Sequence, residues 1–204
     1  MKDSSEALGL IQLAWPDIAA ECRSVLGSEL HYQAMVYYGL RTFGRVPIGQ
    51  LAMNVKMWIG QPKTDLFQRL DLRKHEKFRG GFEPIPDICL FKRDISSDWR
   101  RRNSAKTLAN LLVAIEVKAS ERKGARLRAG ELIADIRKLA AHNEEAQHRG
   151  YSFAPVMMVI DTAPLQAEQM TNHSLLQSER TARDHGVAFM YVSRARATST
   201  LKES

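Results

Sequence analysis

Three charged residues stand at the ends of two apolar segments, and they are the side chains in this sequence best suited to chemistry. Asp87 opens the apolar run 88–91, whereas Glu116 and Lys118 close the apolar run 111–115. Because side chains alternate across a β-strand, Glu116 and Lys118 are expected on one face and the valine between them on the other. Burying charge in an apolar strand is costly unless the charge has a partner. The pattern therefore indicates either an ion pair or a bound cation.

The residue types at these positions suit the hydrolysis of a phosphodiester. The carboxylate oxygens of Asp87 and Glu116 are hard ligands of the kind that Mg²⁺ and Mn²⁺ prefer. A divalent cation held there activates water and neutralises the charge that develops on a phosphate. Lys118 beside it would orient or deprotonate the attacking water and stabilise the transition state.

Positive charge is concentrated in one part of the chain. The formal net charge is +7, and the segment 92–128 alone holds an excess of that size, while the rest is neutral overall. Its basic residues are Lys92, Arg93, Arg100, Arg101, Arg102, Lys106, Lys118, Arg122, Lys123, Arg126 and Arg128. A basic patch flanking an acidic site predicts a polyanion held beside a metal ion. Solvated charged loops are the simpler alternative.

The composition indicates an ordinary globular chain. At 204 residues it is long enough to bury a core without disulfides or zinc. Its two cysteines lie far apart with no CxxC spacing, which fits a reducing compartment. The apolar stretch 8–15 makes a poor signal peptide, and no apolar run approaches the length that spans a bilayer. We therefore expect a cytoplasmic protein without a membrane partner.

Hydrophobic periodicity and turn residues predict an α/β sandwich with a mixed sheet. A short N-terminal helix over 16–26 makes residues 1–27 a helical extension, residues 28–194 form the main domain, and 195–204 are a frayed polar tail. Residues 60–81 and 94–107 are predicted to be irregular. Further helices are expected over 28–43, 129–147 and 165–185, and strands over 51–59, 87–92, 108–119, 155–160 and 187–192.

Pro86-Asp87 followed by Glu116-Val117-Lys118 on the next strand resembles the signature of the PD-(D/E)xK nuclease superfamily. The resemblance covers residues 28–192. It implies a restriction-endonuclease-like core, a mixed central sheet flanked by helices in the order αβββαβ, with an additional helix and strand. It also implies an acid on the first core helix, where Glu29 stands, and a further metal ligand in the carbonyl of Val117.

The resemblance implies a metal-dependent nuclease. Asp87, Glu116, Val117 and Glu29 would bind Mg²⁺ or Mn²⁺, and Lys118 would act on water. The nucleic acid, most simply DNA, would be gripped through its backbone. The basic residues expected to do so are Arg100, Arg101, Arg102, Lys106, Arg122, Lys123, Arg126 and Arg128. A homodimer would allow cleavage of both strands of a duplex. The biological setting stays open among restriction, phage functions, repair and toxin activity, and an inhibitory partner protein fits the last of these.

Each site residue also has an ordinary structural explanation. Asp87 after proline is typical of a turn, Glu116 and Lys118 can form a simple ion pair, and Glu29 in a first helical turn suits the helix dipole. Two other functions stay open: a nuclease-fold module that binds nucleic acid or a partner protein with weak or lost activity, and a small-molecule α/β enzyme. Trp99, in the arginine-rich loop, is the aromatic residue to test for contact with nucleic acid; the alternative is that it packs on the stem of its own loop.

Overall fold

A six-stranded mixed sheet organises the molecule in the computed structural model, which describes residues 1–100 and 103–201. The strand order is β1-β4-β5-β6-β7-β8. The first three strands pair antiparallel, β5, β6 and β7 are parallel, and β8 is antiparallel to β7. The strands of this sheet are β1 (Leu51–Met53), β4 (Ile88–Phe91), β5 (Leu111–Ala119), β6 (Ala154–Asp161), β7 (Ala188–Ser193) and β8 (Ala197–Ser199). The α/β class with a mixed central sheet is therefore confirmed.

Helices cover both faces of the sheet. They are α1 (Ser4–Ser24), α2 (Glu29–Thr42), α3 (Asp65–Leu72), α4 (Ser104–Asn110), α5 (Ala129–Gln147) and α6 (Asn172–Asp184). Helices α1 and α2 share one buried apolar cluster with one face of the sheet. Helices α3, α5 and α6 share a second cluster with the opposite face. The alternation in β5 matches this division, since Ala114 belongs to the α5 side and Ile115 and Val117 belong to the α1–α2 side.

The N-terminal helix begins twelve residues before the predicted start. Asp3 caps it by accepting a hydrogen bond of 2.9 Å from the Glu6 amide, and Pro16 lies inside the helix rather than at its start. Proline is common in the first turn of a helix, so Pro16 resembles a helix start without being one. The signal that it missed is the Asp-x-x-Glu capping pattern of Asp3 and Glu6, followed by a buried stripe through Ala7, Ile11 and Ile18.

Residues 51–83 differ most from the prediction. In place of one strand over 51–59 there are β1 and a second short strand, β2 (Ile59–Gly60), with the positive φ of Asn54 ending β1. The segment expected to be irregular contains α3 and β3 (Gly81–Phe82), and β2 pairs with β3 in a separate two-stranded sheet. Helix α3 has an apolar face of Leu66, Phe67 and Leu70 that packs on the core.

Three other predictions of irregular structure or boundaries were wrong. The loop over 94–107 contains the first turns of α4, so that β5 begins at Leu111 rather than at 108. The tail is not frayed at 197–199, because β8 pairs with β7 there. Helix α6 begins after Thr171, whose hydroxyl accepts a hydrogen bond from the Ser174 amide, and not at 165. Helix α5, by contrast, has the predicted bounds.

Within the part of the chain that the structure describes, none of the helices has the length and apolar character needed to cross a membrane.

Candidate functional site

Asp87 and Glu116 face each other across two neighbouring strands. The antiparallel register pairs Ile88 with Ile115, so one step further along places Asp87 opposite Glu116. The Asp87 carbonyl accepts a hydrogen bond of 3.0 Å from the Asn54 amide, so the backbone polar groups of Asp87 point toward β1 and away from β5. Asp87 and Glu116 therefore occupy a non-hydrogen-bonded position of the β4–β5 pair, where opposite side chains come closest. Two acids in this position repel each other unless a proton or a cation lies between them.

The electrostatic properties of the two acids reflect that crowding. Burial raises the pKa of Asp87 to about 6; the Glu29 charge adds to this, while a hydrogen bond of 2.7 Å from the Val117 amide to the Asp87 carboxylate opposes it. Burial and then the charges of Asp87 and Asp135 raise the pKa of Glu116 to about 9. The two carboxyl groups also hydrogen-bond to each other. Without a cation, Glu116 therefore retains its proton at neutral pH.

Lys118 lies between two carboxylates that come from opposite sides of the sheet. Its ammonium is 2.9 Å from Glu29 Oε1 and 3.3 Å from Asp135 Oδ2. Burial alone would lower the pKa of Lys118, but the hydrogen bond to Glu29 and the charges of Asp135 and Glu29 outweigh it and raise that pKa. The amine thus stays protonated. Of the two roles predicted for Lys118, orientation and charge stabilisation fit this state, whereas deprotonation of water does not.

Glu29 enters the site from the start of α2. Ser28 caps this helix, and the Glu29 amide donates a hydrogen bond of 2.7 Å to Glu121 Oε2. The Glu29 carboxylate is partly exposed and binds Lys118. Glu29 therefore belongs to the site through its ion pair with Lys118. The structure brings together the four side chains predicted from the sequence: Glu29, Asp87, Glu116 and Lys118.

Two functional candidates on α5 were missed by the sequence reasoning. Asp135 contacts Lys118, and Lys138 donates a hydrogen bond of 2.8 Å to Asp135 Oδ1. Both line a cleft of about 300 Å³ together with Glu116 and Lys118. The available signal was a polar stripe at helical spacing, which runs from Glu131 through Asp135 and Lys138 beside the buried apolar stripe of the same helix.

The cleft has mixed walls. Its other sides come from α3 and from the segment 82–86 that leads into β4, and they include Phe67, Phe82, Glu83 and Pro84. Glu83 thus lies at the site. His75 and Glu76 do not line this cleft, and they stand on an exposed single turn of 3₁₀ helix. Apolar and charged surfaces side by side suit a ligand that has both.

The oxygens present fit a small divalent cation held by few protein ligands. Among the described residues, no three or more acidic, histidine or cysteine side chains are grouped so as to hold a metal ion. Asp87 and the opposing Glu116 supply two carboxyl groups that would both become ligands once Glu116 loses its proton. Mg²⁺ commonly uses one or two carboxylates and completes its shell with water and substrate phosphate. Glu29, expected as a further ligand, is engaged by Lys118.

The carbonyl of Val117 is available on the same side of β5. Its amide points toward Asp87, and the amide and carbonyl of one strand residue face the same neighbour. The residue opposite Val117 is Pro86, which has no N–H to donate. The sequence Pro86-Asp87 therefore ends the β4–β5 ladder at this point, and Pro86 cannot donate a hydrogen bond to the Val117 oxygen.

The predicted basic residues divide between the two ends of the sheet. Arg122, Lys123, Arg126 and Arg128 are exposed on the connection that follows β5, next to Lys118. Arg100 and Lys106 lie on the connection from β4 to β5, which enters β5 at Leu111, and Leu111 is roughly 23 Å from Lys118 at about 3.3 Å per residue. Arg101 and Arg102 lie outside the described residues. Among the described residues of this set, the structure therefore places only those after β5 beside the acidic site, namely Arg122, Lys123, Arg126 and Arg128.

Trp99 also belongs to the distant end. Its ring stacks on Phe91 with centroids 6.2 Å apart and an interplanar angle of 7°. It packs against the core as part of its own loop stem, and it lies away from the acidic cleft.

Comparisons with known proteins return no matching family model, no matching curated protein and no matching solved structure. Function is therefore inferred from the geometry of the site alone.

Proposed function

We propose that this chain is a metal-dependent nuclease of the PD-(D/E)xK type, with a restriction-endonuclease-like core, acting on nucleic acid and most simply on DNA. The observation that carries the proposal is the opposition of Asp87 and Glu116 at the point where the β4–β5 ladder ends, with the ammonium of Lys118 on the same face of β5. An ordinary ion pair explains Lys118, but it does not explain a buried acid, Asp87, held against the half-buried acid Glu116.

Asp87, Glu116 and the Val117 carbonyl would hold Mg²⁺ or Mn²⁺, which supplies charge neutralisation and a more acidic water. Asp87 is fixed for this role by the Val117 amide. Glu116 must give up its proton before both acids can ligate, because its pKa of about 9 keeps it protonated otherwise. Its proton and the cation thus compete for one position.

Lys118 supplies positive charge beside the reacting phosphate. Glu29 and Asp135 hold its ammonium from two sides, so it is oriented before substrate arrives. A preorganised cation costs little reorganisation when negative charge grows on the phosphate oxygens. Lys138, bound to Asp135, places a second ammonium in the same cleft.

The exposed cations after β5 would grip the nucleic acid backbone. Lys123 and Arg128 are exposed on this connection, while Arg122 pairs with Glu131 at 3.1 Å, and Arg126 donates to the Ala167 carbonyl. Such contacts are independent of sequence and weaken with salt. This chain therefore has the features of a nuclease that holds phosphates rather than one that reads bases.

The proposal is tested by incubating the protein with supercoiled plasmid, linear duplex, single-stranded DNA and RNA in Mg²⁺, Mn²⁺ or EDTA. We expect scission that requires the metal and falls by at least about 100-fold in Asp87→Asn and Glu116→Gln. Asp17→Asn, an exposed acid on α1, is the matched control and should cleave like the wild type. Scission in EDTA, or full activity in both site variants, would refute the proposal.

One observation favours a second candidate, a nucleic-acid-binding module with weak or lost activity. Glu29 and Asp135 both neutralise Lys118, and the described residues contain no group of three acids placed for a metal. Salt-sensitive binding to all the substrates, with no scission in either metal, would select this module.

A further inference from the structure

An exposed aromatic and basic surface adjoins the cleft, and nothing in the proposed reaction uses it. Trp58 is 46% exposed and Phe78 is 70% exposed, which is unusual for rings of this size. With Lys74, Lys77 and Arg79 they line one shallow depression. We call these five residues the aromatic platform. Large exposed rings beside cations are the composition that binds single-stranded nucleic acid.

The Trp58 ring is held in place rather than loosely exposed. A Cβ atom on Gly81 would lie 2.3 Å from Trp58 Cζ2, so the ring packs directly over the glycine of β3. Lys74 reaches toward the same ring, with its ammonium 5.8 Å from the Trp58 centroid and 5.3 Å from that of Phe82. An ordered ring loses little freedom when a base stacks on it.

The platform and the cleft form one continuous surface. Phe82 and Glu83 line both depressions, so the path from Trp58 to Glu116 and Lys118 passes over these two residues. Phe82 in turn stacks on Phe67 of α3, with ring centroids 4.4 Å apart. A strand lying on the platform would therefore lead directly into the proposed metal site.

The charges of the platform suit a polyanion. Residues 56–85 contain seven basic and four acidic side chains. Of the acids, Asp71 is buried and its charge is already paired, since it forms an ion pair with Lys74 at 3.2 Å and accepts a hydrogen bond from the Gly80 amide. Lys77 and Arg79 are exposed at the rim. The surface facing solvent therefore combines flat rings with positive charge, and the acid of this depression, Glu83, lies on the side shared with the cleft.

We propose that the aromatic platform binds single-stranded nucleic acid, with bases stacked on Trp58 and Phe78 and phosphates near Lys77 and Arg79, and guides it into the cleft. A paired duplex hides the faces of its bases, so stacking selects unpaired nucleotides. The proposal rests on the proposed nuclease function only for the role of the cleft, because binding to the platform needs no metal and no cleavage.

The test is equilibrium binding of fluorescent oligothymidine and oligouridine of fifteen nucleotides in EDTA, followed by fluorescence anisotropy. Trp58→Ala and Phe78→Ala should each weaken binding at least about fivefold, the lower limit for loss of one base–aromatic stack. Tyr38→Ala, which removes an exposed ring on α2 at the other face of the sheet, is the matched control and should bind unchanged. Lys77→Ala should lower the slope of log affinity against log salt by about 0.7.

Trp58→Phe separates stacking from a folding defect. Nucleotides stacked on Trp58 should quench tryptophan fluorescence in the wild type, since Trp15 is buried and Trp99 is covered by Phe91. Trp58→Phe keeps a ring and should bind within about threefold of the wild type while losing the quenching. Thermal unfolding of every variant checks the fold.

The outcomes separate the two proposals. Binding that survives both Trp58→Ala and Phe78→Ala overturns the platform, whether or not the protein cleaves nucleic acid. Metal-dependent cleavage of duplex without measurable affinity for either single strand also overturns it. Ring-dependent binding without any cleavage supports the platform and removes the nuclease. The comparison of thymidine with uridine oligomers distinguishes DNA from RNA as the source of the strand.

Discussion

Glu116 carries the largest electrostatic cost in the site. Its pKa lies at about 9 because burial and the charges of Asp87 and Asp135 disfavour the carboxylate. A raised pKa means that the folded state binds the proton more tightly than the unfolded chain does. This contribution to stability is complete below the ordinary pKa near 4.5 and is lost as the pH rises from there to about 9.

Glu116→Gln should therefore stabilise the metal-free protein at high pH. Glutamine keeps the shape and does not titrate, so the variant avoids the cost of a buried negative charge. We expect its free energy of unfolding to exceed that of the wild type by about 1–3 kcal/mol at pH 9. Urea denaturation in EDTA measures this, and the difference should shrink as the pH falls toward 4.5. A variant less stable than the wild type at pH 9 would contradict the assigned charge state.

Lys118→Ala should abolish the proposed nuclease activity and also weaken the fold. The substitution removes the ammonium that both Glu29 and Asp135 contact, so Glu29 loses this ion pair and Asp135 keeps only the one with Lys138. We expect plasmid nicking to fall at least about 100-fold, with a lower midpoint of urea denaturation. Lys118→Arg keeps the charge, so it should recover stability more than activity. Wild-type rates in Lys118→Ala would exclude the role given to this residue.

Asp87, Glu116 and Lys118 could be identified from sequence because their types conflict with their apolar surroundings. That conflict is local, and strand alternation predicts which side chains share a face. Asp135 has no such conflict, because an acid on a helix surface needs no explanation. Only the crossing of α5 over β5 brings it to Lys118, and that crossing depends on contacts remote in sequence.

At the scale of elements, α5 positions the lysine from the side opposite Glu29. Asp135→Asn keeps a hydrogen-bonding group but removes one charge from Lys118 and from Glu116. Since the Asp135 charge raises the pKa of Glu116, the variant should lower that pKa. We expect the acidic limb of the pH–rate profile of cleavage to be displaced to lower pH. An unshifted limb would mean that Asp135 acts only through the fold.

Long periodic elements were predictable, and short ones were not. Helix α5 and the central strands have enough repeats for their periodicity to be read. Helix α3, strand β3 and strand β8 are short and depend on partners that sequence cannot supply. Proline also misled the prediction, since Pro16 lies within α1 even though such a residue usually marks a helix start.

At the scale of the whole molecule, α1 belongs to the core that supports the site. It packs against α2 and the sheet in one apolar cluster. The two helices approach closely, because a Cβ atom on Gly39 would lie 2.3 Å from Ile18 Cγ1. Helix α1 thus supports α2, and α2 carries Glu29.

Gly39→Ala should consequently destabilise the protein by about 1–3 kcal/mol, because the added methyl group overpacks the α1–α2 contact. Chemical denaturation measures the loss. Gly130→Ala is the matched control, since no atom lies within 4 Å of a Cβ built there, and it should not reduce stability. Equal stability of the wild type and Gly39→Ala would show that α1 is a loosely attached extension.

The distribution of charge also belongs to the whole molecule. Apart from Lys118 within β5, the basic residues of segment 92–128 lie partly before β5 and partly after it. Of those described, only the ones after β5 lie beside Asp87 and Glu116. The net charge of a segment cannot show this separation, because it does not say at which end of a strand each charged residue lies. The cations near the cleft therefore come from three separate stretches of sequence: the connection after β5, helix α5, and the platform around Lys77.

Capture of one divalent ion between Asp87 and Glu116 is tested most directly by calorimetric titration with Mn²⁺ at pH 7.5 in buffers of different ionisation enthalpy. We predict one ion per chain, with release of up to one proton because Glu116 is protonated beforehand, and binding at least about tenfold weaker in Glu116→Gln. Absence of Mn²⁺ binding, or equal affinity and no proton release in the two proteins, would contradict the proposed site.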